Sequence, residues 1–589
     1  MAVDETYQAF IKKALIDPIR SVLIVDDDYP TIEELLARAI QDKPANDAKE
    51  EPLAPAKKKA WETSPDKVRA VINGLRNIPL MVDIHDGCDV EDGTDRVARH
   101  LNQSDLLILD YHLDETDSGD KAIQIARTVA ANDHFNLVVV NTRYELTRAF
   151  AEMLLGLMAP QECFEDERRD LGLAAVEAAE LEFPEAAQRI RSSIELKQYA
   201  EVRRVGAGAL RTAIEGKGVF GAFKAALEEA KIQPQDRRNV LIWALAEFQE
   251  VNRGKMNTGE LDCLEWRDSE PFWIRTDELF MSFADKTKEP EPLAVLVTAL
   301  NSWAPPPSRL ILSKFRAEMD AKGVAGESKA VGDSLATAHW YLTLLQADED
   351  ARDVLIEESI ARHAEQLVDG IAERVRDFTG ELAAEDRQVG AEGFAKRIAE
   401  RFGTGEGDLD KVEAKFAANA VACSKPARGW HLRTGHVFKL DGSYWVCLTP
   451  ICDMVPGQKS AGHRGEVGKR KPFIAVKLLE IKPQKYDRLD ISTNNYLFLK
   501  IDGKVKVFSI FEGIEGDAQP LWYLLYAENL GRIQPGQPFR LSKLHDKDGA
   551  LVVEQFEAEL VAELRYEYAI NLMQKLGGSL SRVGLDFAA

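Results

Sequence analysis

Four side chains stand where short apolar runs end. Asp26 and Asp27 follow Ser21-Val22-Leu23-Ile24-Val25, Asp110 follows Asp105-Leu106-Leu107-Ile108-Leu109, and Thr142 follows Leu137-Val138-Val139-Val140-Asn141. Runs this short and this apolar read as parallel strands buried on both faces. In an open α/β sheet the crevice outside the carboxyl ends of such strands is where ligands bind. Carboxylates gathered there raise one another's pKa unless a cation joins them. Magnesium suits the set, because it takes oxygen ligands and keeps several waters. A carboxylate beside such an ion can attack a phosphoryl group and carry it as an acyl phosphate. On this reading Asp110 is the nucleophile, Asp27 ligates the ion directly, and Asp26 does so directly or through water. The backbone carbonyl of His112 is a further ligand, and the Thr142 hydroxyl bonds a phosphoryl oxygen. The plainer alternative is acids that simply face water; the order double acid, single acid, threonine favours the site.

These residues need a doubly wound sheet to bring them together, and the first 160 residues alternate as one would. Ile78 to Ile84 is a further strand candidate. Helices are expected over Pro30 to Ile40, with Ile32, Leu35, Leu36 and Ala39 on one face, and over Asp66 to Arg76, Asp92 to Asn102, Gly119 to Ala131 and Tyr144 to Met158. Residues 42–65, rich in Lys, Glu, Pro and Ala, read as a flexible insertion.

From 161 to 425 the chain is expected to be mainly helical, with Ala/Glu/Arg/Leu-rich stretches such as Leu171 to Ala200 and Ala351 to Thr379. One strand-like break, Phe272 to Thr276 and Glu278 to Phe283, interrupts it, and Trp303-Ala304-Pro305-Pro306-Pro307 is a rigid stop. Residues 426–589 turn to β. Strands are expected at His436 to Leu440, Tyr444 to Leu448, Phe473 to Ile481, Tyr496 to Ile501, Lys504 to Phe511 and Leu551 to Phe556. Asp441-Gly442 and Asp502-Gly503 signal hairpins, and a closing amphipathic helix is expected over Ala558 to Leu576. The expected architecture is therefore multidomain α/β, α and β: a doubly wound receiver-like sheet (1–160), a helical middle (161–425) and a β-rich C-terminal domain with a terminal helix (426–589).

The runs Val22 to Asp28, Asp105 to Asp110 and Val138 to Thr142 resemble the receiver domain of two-component response regulators over the first quarter of the chain. That resemblance implies phosphorylation of Asp110 by a sensor histidine kinase, with Mg2+ at Asp26, Asp27, Asp110 and the His112 carbonyl. Two elements of the family pattern are not read here. His112-Leu113-Asp114 stands where Met-Pro is usual, and after Met158 no fifth strand ending in Lys-Pro is found, nor its phosphoryl-binding lysine. The layout of the whole chain, with Arg582-Val583-Gly584-Leu585 near its end, resembles the receiver component of the anti-phage Detocs systems. That implies a phosphate sink or buffer acting beside a separate receiver-bearing effector.

The wider composition fits a non-enzymatic, cytoplasmic signalling protein. Of 589 residues 45% are hydrophobic and 29% charged, and the formal net charge of -23 disfavours nucleic-acid binding. No apolar run approaches the roughly 20 residues that span a bilayer. The six cysteines are sparse and read as free thiols. Cys447 and Cys452 with His431, His436 and His463 are a weak zinc pattern, and buried strand thiols are the plainer reading. Lys459 to Lys471 reads as a solvated basic loop. An effector enzyme with Cys452 or Asp453 at its centre, gated by the receiver, and a scaffold with a degenerate receiver are the competing functions.

Overall fold

The computed structural model describes residues 4–32, 34–36, 65–78, 80–87, 104–113, 118–132, 134–161, 167–261, 263–288, 291–330, 334–456, 468–491, 493–511, 520–534 and 536–581. The insertion expected at 42–65 (but for Pro65), the helix at Asp92 to Asn102, His463 and the motif at Arg582 to Leu585 lie outside the described residues. The chain forms two compact units, Met1–Pro305 and Pro306–Ala589.

The first unit is built on a seven-stranded sheet. Its strands are β1 (Ser21–Val25), β2 (Met81–His85), β3 (Leu106–Asp110), β4 (Asn136–Thr142), β5 (Glu265–Arg267), β6 (Trp273–Arg275) and β7 (Leu279–Asp285). The order is β2-β1-β3-β4-β7-β6-β5. Neighbours from β2 to β7 are parallel, and the last two pairings are antiparallel. Every residue of β3 is buried, as expected of a strand covered on both faces. Helices Pro65–Asn77, Asp120–Ala130 and Leu146–Leu157 follow the expected periodicity.

The sheet crosses the division expected at 160. β7 pairs with β4 from Asn136↔Leu279 to Thr142↔Asp285. Leu279-Phe280-Met281-Ser282-Phe283-Ala284 is buried throughout, which is why the run is apolar on both faces. It is the strand that the sequence reading did not find after Met158. The helices between Glu167 and Asn252 are inserted ahead of it and share its core: Tyr199, Phe220, Phe223 and Trp243 belong to one buried cluster with Leu109, Val140 and Met281. The single long helix expected over Leu171 to Ala200 is broken into Glu167–Glu180, Ala186–Ser192 and Leu196–Val205.

The second unit opens with helices Pro307–Ala330, Ser334–Gln346 and Glu349–Asp386, followed by Phe394–Phe402 and Val412–Cys423. Nine strands follow: β8 (Ser424–Lys425), β9 (His436–Leu440), β10 (Ser443–Cys447), β11 (Lys471–Ile481), β12 (Leu497–Ile501), β13 (Lys504–Ser509), β14 (Trp522–Ala527), β15 (Phe539–Lys547) and β16 (Ala550–Leu564). The order β10-β9-β16-β15-β14-β11 closes on itself because β11 also pairs with β10, giving a six-stranded barrel. Both Asp-Gly turns have positive φ at both residues, the conformation a tight hairpin needs. All six barrel strands send side chains into one cluster, including Phe438, Trp445, Phe473, Leu525, Leu541 and Ala558, so the interior is filled.

The closing helix begins later than expected, at Tyr566–Leu580, and Ala558 to Leu564 are strand. Leu560, Leu564 and Leu572 recur at multiples of four, a spacing that fits a strand's period of two as well as a helix. Pairing with β9 and β15 makes Leu560 and Leu564 strand residues, and Leu572 falls in the helix. Cys447 is buried in the barrel core and Cys452 is exposed. Among the described residues one group of three or more candidate metal ligands converges, and it lies in the first unit. Cys447, Cys452, His431 and His436 do not form one.

Candidate functional site

The parallel strands β1, β3, β4 and β7 end on one edge of the sheet, and each delivers a polar residue there. Asp26 follows β1, Asp110 closes β3, Thr142 closes β4, and Lys286 follows β7. Backbone bonds fix these ends: the Asp26 amide donates to the His85 carbonyl at 3.0 Å, and the Tyr111 amide to the Asn141 carbonyl at 2.8 Å.

Side-chain oxygens of Asp26, Asp27, Asp28 and Asp110 all lie within 4.8 Å of one another. Asp26 and Asp110 are buried, while Asp27 and Asp28 are partly exposed. Lys286 Nζ donates to Asp26 Oδ2 at 2.8 Å and to Asp110 Oδ2 at 2.6 Å. The ammonium therefore bridges the two buried acids.

The electrostatics follow from that packing. Burial, then the charge of Asp26, pushes the Asp110 carboxyl up to about 7, against the pull of Lys286. Burial also raises Asp26, with Lys286 opposing. Asp27 is raised by burial and by the charges of Asp28 and Asp26. For Lys286 burial works against the charge, but Asp26 and Asp110 outweigh it and hold the ammonium protonated. Three to four carboxylates around one ammonium leave an excess of negative charge, which a hard divalent cation would neutralise through oxygen ligands. The donor set fits Mg2+ held by Asp26, Asp27 and Asp110.

Thr142 is fully buried, and its Oγ1 accepts a hydrogen bond from the Tyr144 amide at 3.0 Å. The His112 ring sits against Tyr111 and Tyr144, with centroids 4.7 and 4.3 Å away. The side-chain cluster thus comprises three of the expected metal-binding residues and adds Asp28. Lys286 and Arg143 are further additions. The Arg143 guanidinium donates to Asp28 Oδ2. Sequence reading missed Lys286, although the signal was present: the strand-like run Glu278 to Phe283 is followed within three residues by a lysine. A threonine, Thr287, stands where the receiver pattern has proline.

Residues 18–188 match the family model described as Response receiver domain. No curated protein and no solved structure matches the chain. The matched segment carries β1 to β4 and the acids, and it ends before β7 and Lys286. Receiver domains typically accept phosphoryl groups in two-component signalling and bind Mg2+ at an acidic pocket, and an acidic cluster of Asp26, Asp27, Asp28 and Asp110 is present here. Residues 18–188 of this chain are a response receiver domain.

Proposed function

We propose that the chain takes a phosphoryl group from a histidine kinase onto Asp110. The observation that carries this reading is the Lys286 ammonium held between the buried carboxylates Asp26 and Asp110 of an acid cluster. An Asp110 oxygen attacks phosphorus, the phosphorus–nitrogen bond of a phosphohistidine breaks in line, and the imidazole leaves with a proton from solvent. Lys286 and the Thr142 hydroxyl would meet phosphoryl oxygens as charge moves onto them. Asp26, Asp27 and Asp110 would hold the Mg2+, with the His112 carbonyl as a further ligand. The ion neutralises phosphoryl charge when bound.

The resemblance of the whole layout to the Detocs receiver component supports a narrower form. The chain would act as a phosphate sink that keeps a separate receiver-bearing effector from leaky activation in anti-phage defence. An active site in the barrel, with Cys452 or Asp453 at its base, has less support, since the interior is filled.

The test is transfer of labelled phosphate from an autophosphorylated histidine kinase, with Mg2+, to the full chain. Label is expected on the wild type and not on Asp110→Asn. Equal labelling of both would overturn the assignment.

A further inference from the structure

Helix Ser334–Gln346 has 13 residues and buries none of them. Isolated helices shorter than roughly 12–15 residues are marginal in water, and most helical stability in proteins comes from a packed apolar face. This helix contains no Asp, Glu, Lys or Arg. Thr337, Trp340 and Leu344, at helical spacing, are half-buried. Tyr341, Leu342 and Leu345 are exposed, by 49% at Leu342 to 61% at Leu345. The helix packs on Glu349–Asp386, which carries an exposed stripe of its own. Ile356 and Ile360 are exposed there, and Leu367 is half-buried. With His363 they recur at steps of four, three and four, the seam spacing of a coiled coil. Lone exposed apolar residues are ordinary, but a run of them along two adjoining helices marks an interaction face.

We infer that a second copy of this chain covers this face, the two copies packing these helices together about a two-fold axis. The contact lies in the second unit and does not depend on phosphoryl transfer to Asp110. The seam is self-complementary, since like helices fill one another's grooves at this spacing. The charges beside it also match themselves. Glu358, Arg362 and Glu365 are exposed on the same helix. With the helices antiparallel and the axis between His363 and Ala364, Ile360 falls opposite Leu367 and Arg362 opposite Glu365. Each copy then offers the other the sign it lacks. The area suffices as well. Half the lateral surface of residues 334–346 and 356–368, each stretch about 20 Å long and about 10–12 Å across, comes to about 700 Å2. Each partner brings roughly 800 Å2 to a standard interface. Such a contact gives helix Ser334–Gln346 the buried face that it lacks within one chain.

The experiment measures the mass of the full chain by light scattering after size exclusion, from about 1 to about 100 µM. The wild type should run at twice the chain mass at the upper concentrations. Leu342→Glu with Leu345→Glu sets charges into the face and should raise the dissociation constant at least about 100-fold. Leu181→Glu, an equal change at an exposed leucine of the first unit, should leave it unchanged. Arg362→Glu should raise it about tenfold, and adding Glu365→Arg should recover most of that loss. This exchange probes the axis without disturbing an apolar residue. A wild type that is monomeric at about 100 µM would overturn the proposal and leave the face to a different protein. A dimer that survives the paired leucine changes, or is lost equally with Leu181→Glu, would place the contact elsewhere and overturn it as well. Failure of the Arg362–Glu365 exchange to recover the dimer would overturn the axis.

Discussion

Lys286 Nζ lies 2.6 Å from Asp110 Oδ2 although 176 residues separate them. The contact exists because β7 enters the sheet beside β4 in parallel register, which sets its final residue at the edge where β3 ends. The helical insertion lengthens the crossover without altering this edge, since it packs into the same core. A bridge of one ammonium between two buried carboxylates is a charge arrangement in which each member depends on the others.

Replacing Lys286 with Met should therefore expose that dependence. Asp26 and Asp110 would be left buried without their cation, and breaking a buried pair costs about 3–5 kcal/mol. In EDTA the melting temperature of the first unit should fall, and Mg2+ should recover most of the loss by supplying the missing charge. Phosphoryl transfer to Asp110 should also slow. An EDTA melt like that of the wild type would show that Lys286 does not carry this charge balance.

Asp27 offers a cleaner test of the metal. It belongs to the cluster yet is only half-buried. Asp27→Asn keeps its size and removes one charge. Mg2+ binding, followed by thermal shift across a titration, should weaken at least about tenfold, roughly the effect of one lost charged ligand. Unchanged affinity would place the ion elsewhere.

The acids and Thr142 were legible because each closes an apolar run, and strand ends in a parallel sheet share an edge. Lys286 was not legible by position. The run that carries it follows more than a hundred residues of helical pattern, and Lys286-Thr287 lacks the proline of the receiver motif. Pairing partners are set by tertiary packing, so no local signal told β7 from an isolated hairpin strand. Arg143 lay beside a predicted site residue, but its bond to Asp28 depends on which strand separates them. In the second unit Trp522–Ala527 and Phe539–Lys547 went unread, while the Asp-Gly turns were clear, because their chemistry is local.

The inserted helices can be tested as part of the first unit's core. Gly172 lies in helix Glu167–Glu180, and a Cβ there would stand 2.2 Å from the Asn239 carbonyl oxygen. That neighbour is backbone of helix Arg237–Asn252 and cannot swing aside. Gly172→Ala should destabilise by about 1–3 kcal/mol through overpacking. Gly74→Ala, with nothing within 4 Å in helix Pro65–Asn77, should instead stabilise by up to about 1 kcal/mol. Denaturant midpoints compare the pair. Equal effects would mean that the Gly172 contact does not hold the insertion to its neighbour.

The barrel should be acid-sensitive through a histidine that has no part in the receiver site. His431 is buried, and neither ring nitrogen has a hydrogen-bond partner among the described residues. Burial lowers its pKa from 6.5 to about 4, with the charges of Arg433 and Lys471 adding to the effect. The unfolded chain binds a proton near pH 6.5 that the folded barrel refuses until about pH 4. Stability of the second unit is therefore fully present above pH 6.5 and is lost as pH falls across that window, by about 1.4 kcal/mol per unit of displacement. His436, lowered by burial to about 3, adds to the same trend. His431→Phe keeps a ring against Trp430, whose centroid is 4.7 Å away, and removes the titration. Its denaturation midpoint should fall less steeply between pH 6.5 and 4 than that of the wild type. Parallel slopes would mean that His431 takes up its proton without unfolding, and the acid sensitivity would then belong to His436 and the carboxylates.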